Sequence, residues 1–168
     1  SESRFARCWS HDLQRLAGVE VVVHRGRHLG RPLVEGRNAL LGIVRRQVDA
    51  VGTPDGDFWD FDWLVDARAP APDAPLVVLF HGLEGSAQSH YARLTMDELA
   101  RRGWRGLVPH FRGCGGEAHR RPRAYHSGDH EEIAAMLAAV RARIGPATPM
   151  YAIGISLGGS ALLNWIGR

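Results

Sequence analysis

The stretch Met150-Tyr151-Ala152-Ile153-Gly154-Ile155-Ser156-Leu157-Gly158-Gly159 decides the fold. Its first residues form a short apolar run suited to a buried strand. The run ends at Gly154-Ile155-Ser156-Leu157-Gly158, a G-x-S-x-G pattern. Small residues follow (Ser160, Ala161), then the apolar, helix-like segment Leu162-Leu163-Asn164-Trp165-Ile166. Strand, sharp turn with a serine at its apex, then helix: this order is that of a nucleophile elbow. Gly154 and Gly158 let the backbone fold back closely while the serine is held in a strained conformation. The turn offers a hydroxyl at a helix N-terminus, where backbone N–H groups and the helix dipole favour a developing negative charge.

Working outward, Gly145-Pro146 closes a predicted helix with Ile133, Met136, Leu137, Val140 and Ile144 on one face, and Asp129 with Glu132 resembles a capping box at its start. A long polar loop, residues 110–127, precedes it and follows a short strand at residues 104–109. Before that strand lies a helix stopped by Gly103, capped by Ser86 or Ser89, with Asp97→Arg101 and Glu98→Arg102 as i,i+4 pairs. Leu76-Val77-Val78-Leu79-Phe80 is apolar throughout, as expected of a parallel strand buried on both faces. It runs directly into His81-Gly82-Leu83-Glu84-Gly85-Ser86. Further upstream, residues 43–51 and 58–65 flank Thr53-Pro54-Asp55-Gly56-Asp57, a turn sequence that predicts an antiparallel hairpin. Its second strand places Trp59, Phe61, Trp63 and Val65 on one face. Asp60, Asp62 and Asp66 occupy the other, expected to be a solvated outer face. Three prolines among alanines in residues 67–75 read as an extended connector.

Residues 1–42 are dense in arginine and glycine and poorly patterned, apart from Val21-Val22-Val23 and a short helix expected around Asp12 and Leu16. They read as a loosely packed, partly disordered leader ahead of one domain over residues 43–168. The alternative, a basic arm for nucleic acid, is disfavoured because no aromatic platform interleaves the arginines. The order hairpin, β, α, β, α, β, α predicts an α/β fold: an antiparallel hairpin followed by a parallel sheet with helices on both faces.

Composition is that of an ordinary globular protein, 45% apolar and 23% charged over 168 residues. All 21 basic residues are arginine, which excludes a P-loop and lysine Schiff-base chemistry. Cys8 and Cys114 set up neither a disulfide framework nor a Cys-x-x-Cys site. No segment approaches a membrane span or a signal-peptide core, so the chain reads as cytoplasmic. It starts without methionine and stops at Arg168, inside or just after a helix, as a fragment would. Oligomeric state is not legible.

Acyl-bond hydrolysis needs a nucleophile, a base and oxyanion donors. Ser156 fits the first role. The donors are expected to be the N–H of Leu157, the residue after the nucleophile, and that of Leu83, where Gly82 permits close backbone approach. His81 reads as a residue shaping that loop, not as the general base. His110, His119, His126 and His130, with Cys114, cluster around one loop, but their spacing matches no zinc pattern and Arg112, Arg120, Arg121 and Arg123 would repel a cation. No metal and no cofactor are expected. The triad order on such a sheet is serine, acid, histidine. The twelve residues after Ser156 contain neither of the last two, so both are expected beyond residue 168.

Asp55-Gly56-Asp57-Phe58, His81-Gly82-Leu83-Glu84-Gly85-Ser86, His110-Phe111-Arg112-Gly113-Cys114-Gly115-Gly116-Glu117, Tyr125-His126-Ser127-Gly128-Asp129 and Gly154-Ile155-Ser156-Leu157-Gly158-Gly159 resemble the YheT-like branch of the α/β-hydrolases. The resemblance covers about residues 48–168, with five motifs in the family's order. It implies the N-terminal part of an α/β-hydrolase fold, C-terminal strands absent, and a serine esterase or lipase acting on a small-molecule or lipid ester. Ser156 is implied as nucleophile, and Leu83 and Leu157 as oxyanion donors. The family's strand order also implies that residues 150–155, lacking a following strand, form an exposed apolar edge. Two alternatives share these residues: an acyltransferase, with an alcohol in place of water, and a non-catalytic binding or scaffold protein.

Overall fold

Five consecutive apolar residues, Leu76–Phe80, form a strand buried at every position, and their alternation sends side chains to two separate cores. The computed structural model that shows this describes residues 14–16, 19–23, 45–65 and 70–168. The expectations for other residues, Cys8 and most of the arginine-rich leader among them, lie outside the described residues. In chain order the elements are β1 (Gln14–Leu16), β2 (Val19–Val23), β3 (Arg45–Gly52), β4 (Phe58–Val65), β5 (Leu76–Phe80), α1 (His90–Arg102), β6 (Arg105–Pro109), α2 (His130–Ile144), β7 (Met150–Gly154) and α3 (Leu157–Ile166).

The seven described strands form one mixed sheet in the order β1-β2-β7-β5-β6-β4-β3. β5 pairs in parallel with both β6 and β7, and β4 is antiparallel to β6 and to β3. Leu76, Val78 and Phe80 face one core, shared with Ile133, Met136, Leu137 and Val140 of α2 and with Ala161 and Leu162 of α3. Val77 and Leu79 face the other, shared with Ala92, Met96 and Leu99 of α1. Helices therefore cover both faces, as the β–α alternation predicts. The hairpin turn forms as expected: Gly56 N–H donates to Thr53 O at 3.1 Å, and Gly56 takes φ 82.

Several local expectations are corrected. Gln14–Leu16 is a strand, not part of a helix, and pairs antiparallel with β2. β7 is not an open edge: β2 lies along it in parallel, with Val19 opposite Met150 and Val23 opposite Gly154. The Asp60 and Asp62 face of β4 is not solvated. Asp62 is buried beside His110, with Nε2 to Oδ2 at 3.6 Å, because the loop after β6 folds over it. His110 N–H donates to Asp60 O at 2.8 Å in the same place. The capping box does not form: Asp129 is the N-cap of α2 without a side-chain cap bond, and its carboxylate receives Arg123 at 2.7 Å instead. On α1, Glu98 pairs with Arg102 at 2.7 Å, as spaced, but Arg101 also turns to Glu98, at 3.2 Å, while its Nε reaches the Asp97 carbonyl. Among the described residues, no helix is long and apolar enough to cross a membrane.

Candidate active site

β5, β6 and β7 run parallel, so the loops that follow them emerge at one end of the sheet. Residues 81–86 follow β5, residues 110–129 follow β6, and Ile155 and Ser156 join β7 to α3.

Ser156 sits at φ 52 and ψ −114, exposed to solvent at the start of α3. A side chain held in that region costs of order 1–3 kcal/mol and persists only where its surroundings fix it. Here they do. Ile155 N–H donates to Phe80 O, Gly158 N–H to Ile155 O, and Ser160 N–H to Ser156 O, each at 3.0 Å. The elbow glycines are required by packing. A Cβ on Gly154 would lie 2.5 Å from Gly159 Cα, and one on Gly158 would lie 2.5 Å from both Phe80 O and His81 O. Strand and helix meet backbone to backbone, and no larger residue fits.

The loop after β5 reaches the same point. A Cβ on Gly82 would lie 3.3 Å from Ser156 Cβ and 3.9 Å from its Oγ. Gly82, Gly154, Ser156, Leu157 and Gly158 therefore converge, and Leu83 is the residue next to that contact, its side chain 68% exposed. Leu157 opens α3, and a first-turn amide of a helix has no intrahelical acceptor. The loop itself is a turn closed by Gly85 N–H to Gly82 O at 3.0 Å.

His81 is fully buried. Phe111 N–H donates to its Nε2 at 3.1 Å, so the ring proton is on Nδ1, which donates to Gly82 O at 2.8 Å. Burial pushes its pKa down to about 4, the bond to Gly82 opposing this and nearby His110 adding to it. A ring that is neutral, buried and engaged through both nitrogens shapes a loop. It has no free lone pair for a serine hydroxyl.

Beside this site lies a set of residues whose mutual ion pairs sequence reasoning missed. Arg112 is buried, and its guanidinium contacts Glu132 (Nε to Oε1, 2.8 Å), Asp55 (2.9 Å) and Asp57 (3.2 Å). Trp59 Nε1 donates to the same Glu132 oxygen. Asp57 also accepts the N–H groups of Phe58, Arg120 and Arg121 at 2.9–3.1 Å. Burial opposes ionisation of Asp57, but those donors and Arg112 hold its pKa below the usual carboxylate value on balance. Asp55 is lowered chiefly by the Arg112 hydrogen bond and then by that of Thr53. Burial also acts against the Arg112 charge, and Glu132 and Asp55 more than offset it, so its pKa is raised. This knot ties the hairpin turn, the loop after β6 and the first turn of α2 together. Its signal in the sequence was an acid pair, Asp55 and Asp57, in one motif and an arginine, Arg112, in another.

Among the histidines grouped by the sequence around the loop after β6, His110, His126 and His130 have separate local partners, and the buried Nδ1 of His119 has none among the described residues. His110 Nδ1 lies 3.1 Å from Cys114 O, His126 Nδ1 accepts Gly128 N–H at 3.2 Å, and His130 Nδ1 lies 3.2 Å from Gly128 O. Among the described residues, no three His, Cys, Asp or Glu side chains are grouped to hold a metal ion.

A family model described as alpha/beta hydrolase fold matches residues 75–168. The chain is 47% identical over 126 residues to "Putative esterase YheT" of Escherichia coli (strain K12), covering 71% of this chain and 36% of that protein. It is 28% identical over 148 residues to Phospholipase ABHD3 of Bos taurus, covering 86% of this chain and 35% of that one. The chain thus spans about a third of the length of these curated relatives. Among solved structures, the Pyrococcus furiosus esterase Pf2001 superposes with a TM-score of 0.54 at 20% identity, over 70% of this chain and 44% of that one, which supports the fold alone.

Proposed function

The chain belongs to the α/β-hydrolase fold family, in its YheT-like branch, and from that premise we propose that it carries the nucleophile and oxyanion donors of a serine hydrolase acting on carboxylic esters. Ser156 Oγ attacks the ester carbonyl carbon. The oxyanion accepts hydrogen bonds from the N–H groups of Leu83 and Leu157, the alcohol leaves with a proton, and water then cleaves the acyl-enzyme to release the acid and restore the serine. The substrate class is a small-molecule or lipid ester, and the reaction is placed in the cytoplasm.

The observation that carries this reading is the strained Ser156 at φ 52, exposed and within van der Waals reach of the Gly82 turn. Strain at a solvent-exposed hydroxyl has no packing benefit, whereas pre-organising a nucleophile beside backbone donors does have a catalytic one. His81 is unsuited to the base role by its bonds and its lowered pKa. The base and its orienting carboxylate follow the nucleophile in chain order on this fold, and we place both after residue 168.

The test is covalent labelling of the complete gene product by a serine-directed fluorophosphonate, with the adduct located by peptide mass spectrometry. Labelling at Ser156 and its loss in Ser156→Ala are expected. An adduct that persists in Ser156→Ala would overturn the assignment.

A further inference from the structure

Two phenols hold the turn after β5 from opposite sides, and the proposed reaction uses neither. Tyr91 of α1 accepts Gly82 N–H at 3.1 Å. Tyr125, in the loop after β6, accepts Glu84 N–H at 2.9 Å. The amide between these two is that of Leu83.

Glu84 has φ 51, the other positive value besides Ser156 among the described non-glycine residues. A turn with positive φ at its third position ordinarily takes glycine or asparagine there, so glutamate holds this conformation against a steric bias. The hydrogen bond to Tyr125 Oη opposes rotation of the Leu83–Glu84 peptide back to the unstrained form. Tyr125 is itself fixed. Its ring stacks on Phe111 with centroids 5.1 Å apart and planes 7° apart. Phe111 in turn packs edge-on against His81 and donates its N–H to that ring. On the other side Tyr91 is packed so tightly that a Cβ on Gly85 would lie 2.5 Å from its Oη.

We propose that Tyr125 is a positioning residue for oxyanion stabilisation. Its hydroxyl holds the strained Glu84 peptide and thereby presents Leu83 N–H to the reacting carbonyl oxygen, with Tyr91 as the opposing clamp. The inference rests on the reading of Ser156 as nucleophile. Tyr125 does not touch substrate. It gives a role to the Tyr125-His126-Ser127-Gly128-Asp129 motif, which the proposed mechanism leaves unused.

Tyr125→Phe keeps the ring and its stack and deletes only the acceptor. In the complete gene product, with p-nitrophenyl acetate as substrate, kcat is expected to fall roughly 5–10-fold while KM stays within about twofold. The inhibition constant of a trifluoromethyl ketone, which forms a tetrahedral oxyanion on the serine, should weaken by the same factor. The second variant tests the strain. Glu84→Gly removes the steric bias, so Tyr125→Phe with Glu84→Gly should recover kcat to within about threefold of wild type. A rise in KM with kcat unchanged would overturn the proposal, as would unaltered ketone affinity or a double variant no faster than Tyr125→Phe. Failure of the nucleophile reading shows separately, as hydrolysis that survives in Ser156→Ala, and it removes this inference with it.

Discussion

At Ser156 the backbone is held at φ 52 with its hydroxyl open to water, while at Arg112 a guanidinium is buried with three carboxylates around it. Both sites belong to loop ends of the same sheet, yet one stores strain and the other dissipates it. In the elbow, Ser156 is held between closely packed glycines in a conformation that its side chain disfavours. In the knot, every charge taken out of water finds an opposite charge and directed donors, which is the condition for a buried ion pair to be tolerated at all. The contrast teaches that the reactive part of the molecule is rigid because its neighbours saturate their own interactions. The elbow does not stabilise itself.

The largest effect is expected at Arg112. Arg112→Ala leaves Glu132 and Asp57 buried without their partner and should cost about 3–5 kcal/mol of stability, read as a lowered urea midpoint at pH 7. A loss below about 1 kcal/mol would mean that water replaces the arginine and the knot does not brace the loops. Acid sharpens the same contrast. His81 has its folded pKa pushed down to about 4 from an ordinary 6.5, so the unfolded chain binds the extra proton between those values. Stability is then fully present above pH 6.5 and is lost as pH falls towards 4, by on the order of 3 kcal/mol. Comparing the pH dependence of chemical denaturation in wild type and His81→Asn isolates it, and parallel curves would refute the buried neutral ring. Asp55 and Asp57 add to the acid side, since lowered carboxylates contribute stability above their unfolded pKa that is lost below it. The smallest effect has the opposite sign. Ser156→Gly should raise stability by about 1 kcal/mol, because glycine accepts the elbow conformation without strain. A melting temperature that falls in Ser156→Gly would show that the serine is at ease there.

The sequence made the elbow legible because glycine spacing, a preceding apolar run and a following helix all constrain the same few residues. The Gly82 loop was legible for the same reason, as the direct continuation of Leu76–Phe80. The face of β4 was misread because alternation reports only which residues differ in polarity. Asp62 looks solvated in a strand pattern, and it is buried because a loop some fifty positions later covers it. Asp129 and Glu132 fit a capping box by spacing, but Arg112 and Arg123 compete for their carboxylates, and such distant partners leave no local periodic trace. The phenolic hydroxyls were invisible for a related reason. Tyr125 stands in a motif without an evident task and Tyr91 at the start of a helix, and only the fold sets both on one turn.

The pairing of β2 with β7 has a consequence for how the molecule assembles. Val19 and Met150 are about 130 positions apart, so this parallel pair closes a far longer chain loop than the β3–β4 hairpin does. Contacts of such long range form slowly, because the entropy of closure must be met before the hydrogen bonds repay it. The flank of the strand that carries the elbow is therefore completed late, after β5 has already secured its other side. Until then, β7 on a nascent chain offers one row of backbone groups to whatever strand arrives first.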